Sequence, residues 1–275
     1  MGVINSLLTG LFDALFFPFR SLPPWWAMIF ISLLTGLLML SVFRLTSNQA
    51  GIREVKGKIK AHLLEMRLFQ DNLRVTLGSQ RQILAANLRY LGYSAKPLLV
   101  MIVPLVLILV QLNFWFGYEP LAVGEAAIVK VRLAGQASPL QTELQIQASP
   151  SIRVETPALR LEAEKETDWR IRPQSAGTAR LTISAPGLSF EKDVLAGAAP
   201  LSRLTPRRVE GRFPDELLYP GERALPAGGP VKSIEVVYPP RRLAILGLRL
   251  HWLVAYFGLS IVLGFALKRP FKVEI

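Results

Sequence analysis

The chain has no cysteine and only two histidines, His62 and His251, among its 275 residues. The missing thiols exclude disulfides, thiolate zinc sites, iron–sulfur ligation and cysteine nucleophiles. Two histidines so far apart in sequence give no basis for a metal site, and neither a metal nor a cofactor is expected. Acidic residues are also scarce, 20 against 32 Lys and Arg, for a net charge of +12. No Ser/His/Asp arrangement and no glycine spacing of the phosphate-loop type is present, so an enzyme is not expected.

Apolar residues make up 51% of the chain but are gathered in blocks. Trp26 to Phe43 and Leu98 to Gly117 contain no charged residue. Each is close to the roughly 20 residues that carry a helix across a hydrocarbon core. Pro23 and Pro24 stop any helix arriving at the first, and Trp25, Trp26, Trp115 and Tyr118 suit the membrane interface. A third, shorter run, Trp252 to Leu267, ends at Lys268 and Arg269, and Leu243–Leu248 could lengthen it. The expected spans are 25–45, 97–117 and 249–268.

Charge sets the orientation. Residues 44–96 carry ten basic side chains, Arg44 to Lys96, against Glu54, Glu65 and Asp71. Residues 117–249 are nearly balanced, with eighteen basic and fifteen acidic. A basic excess confined to a short loop between apolar runs is the positive-inside pattern, and it accounts for the charge without direct nucleic-acid binding. Residues 49–93 and the tail 269–275 are then cytoplasmic, and 120–240 lies on the far side. The implied location is the plasma (inner) membrane, multi-pass, with membrane lipids as constant partners.

Residues 1–22 form an apolar helix with a polar stripe, Asn5, Thr9 and Asp13. It is read as lying in the interface, the alternative being a span or re-entrant segment. Ile52, Val55, Ile59, Leu63, Met66, Phe69 and Leu73 follow helical three-and-four spacing. Leu77-Gly78-Ser79 is expected to break that helix. Gln80–Leu91, with Ile83, Leu84, Leu88 and Leu91 on one face, is expected to return before Gly92 and Pro97. The product is a basic helical hairpin, either a mere connector or an arm whose Arg53, Lys56, Lys58, Lys60 and Arg67 meet a substrate, a ribosome or anionic headgroups.

From Ala126 the period falls to two. Expected strands are 127–133, 140–148, 158–163, 167–173, 179–185 and 188–195, with a last one at Ile234–Tyr238. Short strands at about ten-residue spacing predict an all-β immunoglobulin-like sandwich with Trp169 as a core anchor. The stretch 199–231 reads as an extended loop. Glu162, Glu164, Glu166 and Asp168 alternate and would share a solvated strand face. The fold class is therefore an integral membrane protein of three transmembrane α-helices and a cytoplasmic hairpin, plus this β-sandwich.

The first 118 residues resemble the YidC/Oxa/Alb membrane insertase superfamily, in particular its short three-span members. The likeness is carried by a span ending in a basic residue (VFRLT, 42–46), a basic hairpin, LGSQRQILAANLRYLG (77–92) and the Pro-containing span KPLLVMIVPLVLILVQLNFWFG (96–117). The β-domain is not part of that family's minimal core. The resemblance implies a non-enzymatic insertase or chaperone for membrane proteins, with nascent membrane proteins or the ribosome as partners of the hairpin. It also implies a polar intramembrane groove holding a positive residue, which eases a polar segment into the bilayer. Arg44 is the candidate by position; its other reading is an anchor snorkelling to headgroups. Ser41, Thr35, Gln111, Asn113 and Ser260, with Ser32 and Tyr256, could add groove polarity or simply hold helices together. The alternative function is an envelope scaffold whose β-domain binds a protein partner.

Overall fold

The computed structural model describes residues 2–135, 137–197, 200–245, 247–268 and 271. The chain divides into two compact units. One takes the residues up to Ala27 together with Leu109–Trp252, the other Met28–Ile108 and the chain from Leu253. The helices are α1 (Gly2–Phe16), α2 (Pro24–Thr46), α3 (Gln49–Leu68), α4 (Leu73–Phe116), the single turn α5 (Asp215–Leu218) and α6 (Trp252–Leu267). Two of them, α2 with 23 residues and α4 with 44, are long and apolar enough to cross a membrane. At 16 residues α6 is shorter.

In the first unit the strands are β1 (Ala127–Leu133), β2 (Gln145–Ala148), β3 (Ile152–Val154), β4 (Leu159–Leu161), β5 (Glu166–Pro173), β6 (Gly177–Ala185), β7 (Leu188–Ala196), β8 (Arg207–Val209), β9 (Val231–Val236), β10 (Arg242–Ile245) and β11 (Leu248–His251). All strand pairings are antiparallel. One sheet has the order β3-β5-β1-β9-β8 with β4 beside β5, and a second has the order β2-β6-β7. Alternation explains both: Val129 and Val131, Trp169 and Ile171, Leu181 and Ile183, and Ile234 and Val236 point into one shared core, where Trp169 is buried. Burying such side chains contributes about 1.5–3 kcal/mol each.

The segment expected as a strand over 140–148 is a strand only from Gln145. Ser138 intervenes: its carbonyl accepts from the amides of Gln141 and Thr142, and its hydroxyl from Leu140 N. Leu243–Leu248 does not extend α6. It belongs to the β10–β11 hairpin, which turns at Gly247 with φ +84°. The expected loop 199–231 holds β8 and α5, and β9 begins at its last residue, Val231.

The acidic residues of β5 are not solvated as expected; Glu166 and Asp168 are both buried. Their cross-strand neighbours explain this. On β1, Arg132 faces Glu166 and Lys130 faces Asp168; on β4, Leu161 and Leu159 cover the same two positions. Arg132 and Lys130 both pair with the Glu166 carboxylate.

In the second unit α3 and α4 form the expected hairpin, but it turns over 69–72. Asn72 caps α4, its side chain accepting from Val75 N, and Phe69 N closes α3 on Glu65 O. Leu77-Gly78-Ser79 stays helical. A lone glycine costs a helix only about 1 kcal/mol, and Ser79 is buried, donating to Glu65 across the hairpin at 2.9 Å. Nor do Gly92 and Pro97 end the helix: α4 continues through Pro97 and Pro104. Leu40, Phe43 and Ile52 form a small core against Tyr90, Tyr93 and Met101.

Candidate functional site

Within the second unit α2, α4 and α6 border an open apolar cavity of about 330 Å³. Its walls include Gly36, Phe43, Met101 and Phe265. Gly36 lets α2 approach α6 closely; a β-carbon there would stand 3.7 Å from Ser260 O. Small residues permit such contact between apolar helices. Three hydroxyls interrupt the apolar lining, those of Thr35, Tyr256 and Ser260. They lie beside one another, Tyr256 within hydrogen-bonding reach of Thr35 and Ser260, with their oxygens covered from solvent. The surface that the cavity presents is almost wholly apolar, with this hydroxyl group set behind it.

Of the residues expected to form a groove, Thr35 and Ser260 meet here, with Tyr256. Ser32 donates to Tyr256 O at 3.5 Å. Ser41 bonds back to Leu37 O at 2.8 Å within its own helix, and Arg44 is exposed near the end of α2; neither lines the cavity. Gln111 and Asn113 belong to the first unit. Gln111 is buried there with its carbonyl oxygen unpaired, and Asn113 lies against Gly117. On the hairpin, Arg53, Lys58, Lys60 and Arg67 are exposed and Lys56 is half-buried. Lys58 pairs with Glu54 at 2.7 Å, a surface i,i+4 contact of small energy.

The first unit holds a polar cluster that sequence reasoning missed. Lys192 on β7 is fully buried, bonded to Thr205 O and to the Glu222 carboxylate. Burial pulls its ammonium below the usual lysine value while Glu222 opposes that shift. Thr205 Oγ1 donates to the same carboxylate at 2.5 Å. Arg203 then spans from Gly221 O at 3.1 Å to Asp13 of α1 at 3.2 Å. A cavity of about 380 Å³ borders Asp13, Arg203, Thr205 and Glu222. The signal for Lys192 was readable: strict alternation of Phe190, Lys192, Val194 and Ala196 puts it on the inward face.

The polar stripe of α1 is turned into this unit and not toward water. Asn5 Nδ2 donates to Glu216 O at 2.8 Å, and Asp13 takes Arg203. Phe16 packs on Trp115 and Phe116, with ring centroids 4.9 and 5.6 Å apart. Leu7, Leu11 and Phe17 are left exposed.

Among the described residues no group of three His, Asp or Glu side chains could hold a metal ion. No family model matches the chain, and no curated protein or solved structure matches it.

Proposed function

We propose that the chain is a three-span membrane protein that helps other membrane proteins insert or assemble, using the hydroxyl-lined cavity among α2, α4 and α6 as a way station for polar side chains. The observation that carries this reading is the grouping of the Thr35, Tyr256 and Ser260 hydroxyls at an otherwise apolar cavity between two membrane-length helices, α2 and α4, and the shorter α6. A polar side chain entering the bilayer exchanges water for these partners and avoids part of its desolvation cost. The resemblance of residues 1–118 to the YidC/Oxa/Alb layout adds to the reading. With Arg44 outside the cavity, hydroxyl dipoles and not a charge do the receiving.

In this reading the basic excess of the loop supports a cytoplasmic α3 and start of α4, with the β-domain, read as an immunoglobulin-like sandwich, on the far side. The outward apolar face of α1 fits the outer interface of the bilayer. A scaffold role for the β-domain remains the second reading, favoured by the buried Lys192–Glu222–Arg203 cluster, which spends charge on holding the 200–224 segment in one conformation.

Reconstitution tests the insertase reading. The triple variant Thr35→Val, Tyr256→Phe, Ser260→Ala keeps the cavity's shape. It should insert a substrate with a polar residue in its span about tenfold less well, since the one or two hydrogen bonds such a residue loses are worth roughly 1 kcal/mol each and about 1.4 kcal/mol is tenfold. A purely apolar substrate should be unaffected. Undiminished insertion of the polar substrate would overturn the reading.

A further inference from the structure

One face of α4 is exposed along its length among the described residues, with only Leu98 also bordering the cavity beside α2 and α6. Leu77, Leu84, Leu91 and Leu98 recur every seventh residue. Arg81, Leu88, Ala95 and Ile102 fall between them in alternating steps of four and three. This is an a/d heptad seam with leucine at every d position, sustained for about four heptads, the signature of a coiled coil. All eight positions are exposed, and the six large apolar ones are 50–63% exposed. The seam is distinct from the stripe that holds α4 to its own chain. That stripe runs through Ile83, Ala86, Tyr90, Ser94, Pro97 and Met101, all buried or half-buried.

We infer that this seam pairs with the same seam of a second copy, forming a parallel two-stranded coiled coil along α4 between Leu77 and Ile102. The period selects a helix as occupant: a repeat of 3.5 residues drifts off a straight helix unless two helices supercoil. The sense rests on the membrane reading above. Copies inserted in the same orientation present α4 in parallel, so a twofold axis along the bilayer normal brings identical faces together. The flanks permit close approach. Gly78, Ala85 and Gly92 follow successive d leucines, and Gln80, Asn87 and Ser94 precede successive a positions, so no charge borders the seam. Open space lies beside Gly78 and Gly92. Arg81 is the one charge within the seam. Facing its own copy, it weakens the pair and fixes the register, as a single polar a residue does.

The absence of cysteine makes the test direct. Leu84→Cys and Leu91→Cys are introduced singly into the full chain and oxidised in the membranes of the expressing cell. They should give about tenfold more disulfide-linked dimer than Gln82→Cys or Arg89→Cys, because only facing a or d positions bring Cα atoms within about 7 Å. In the Leu84→Cys background, Leu88→Asp should lower the yield several-fold and Arg81→Leu should raise it. Equal cross-linking on and off the seam overturns the inference, as does none, or no response to Leu88→Asp. Labelling of the Leu84→Cys variant by a membrane-impermeant maleimide from one side only supports the same-sense insertion on which parallel pairing rests; labelling from both sides overturns it. Absent cross-linking with one-sided labelling would remove the dimer and leave the membrane reading standing.

Discussion

Asp168 holds its proton more tightly than an ordinary aspartate, first because it is buried, with Glu166 and Glu164 adding to the effect and Lys130 opposing it. One carboxylate oxygen has no partner. A carboxyl whose proton affinity is higher folded than unfolded stabilises the fold in its acid form. That contribution is complete below the unfolded value of 3.8 and is lost as pH rises through the higher folded value. Asp168→Asn imitates the acid at every pH. It should raise stability at pH 7 by about 1 kcal/mol and give no gain below the unfolded value. Melting curves of the full chain at pH 7 and in acid check this, and a lower melting temperature at pH 7 would refute it. The alternation of Glu166 and Asp168 was visible in the sequence, but their burial was not. Burial depends on Lys130, Arg132, Leu159 and Leu161 arriving from two other strands, and register between strands is a long-range property.

Among the elements, helices were easier to place than their ends. The apolar spacing of α3 and the uncharged runs in α2 and α4 follow from local periodicity. The hairpin turn did not, because Gly78 drew attention as a breaker while α3 had already closed at Phe69 and Asn72, a capping residue, had started α4. Short strands such as β3, β8 and β10 escaped for a similar reason: three or four residues carry too little alternation to be recognised. The α3–α4 contact itself depends on a residue with little sequence signal. At Gly51 a β-carbon would stand 2.9 Å from the Tyr93 ring, closer than real contacts allow. Asn48 holds the same turn by accepting from Gly51 N at 2.9 Å. Gly51→Ala should therefore force the ring aside, at a cost of about 1–3 kcal/mol typical of overpacking. It should raise the rate of limited proteolysis within 49–93. Adding Tyr93→Ala should return part of that loss, since the clash partner is then gone. A double variant cleaved faster than Gly51→Ala alone would show that the Tyr93 ring is not the obstacle.

At the scale of the whole molecule, the block pattern of hydropathy exposed the division into apolar helices and a β-rich segment, and Trp169 marked the core of the latter. What the pattern could not give was how the β-domain is closed where the chain enters and leaves it. The structure answers with a short clasp. Glu119 N donates to Pro239 O and Arg241 N donates to Gly117 O, with Tyr118 bridged to Pro240. Arg241, nearly fully buried, adds bonds to Tyr118 O at 3.1 Å and Pro200 O at 2.7 Å. The shared apolar core lies between Tyr118 and Tyr238, so the whole of that core falls between the two halves of the clasp. A soluble fragment 117–242 should therefore give a β-type circular dichroism spectrum and a cooperative melt. The boundaries 120–240 suggested by strand periodicity cut away Tyr118 and Arg241. That fragment keeps the core but loses about four hydrogen bonds, each worth roughly 0.5–1.5 kcal/mol. It should melt several degrees lower, with the same spectrum. Restoring Arg241 alone, in a fragment 120–242, should recover only the Pro200 bond, because Gly117 and Tyr118 are absent, and its melting temperature should fall between the other two. Identical melting of all three would mean that the clasp adds nothing to the fold. A helical or disordered spectrum from 117–242 would mean that the β-domain depends on α1 or the end of α4 to fold at all.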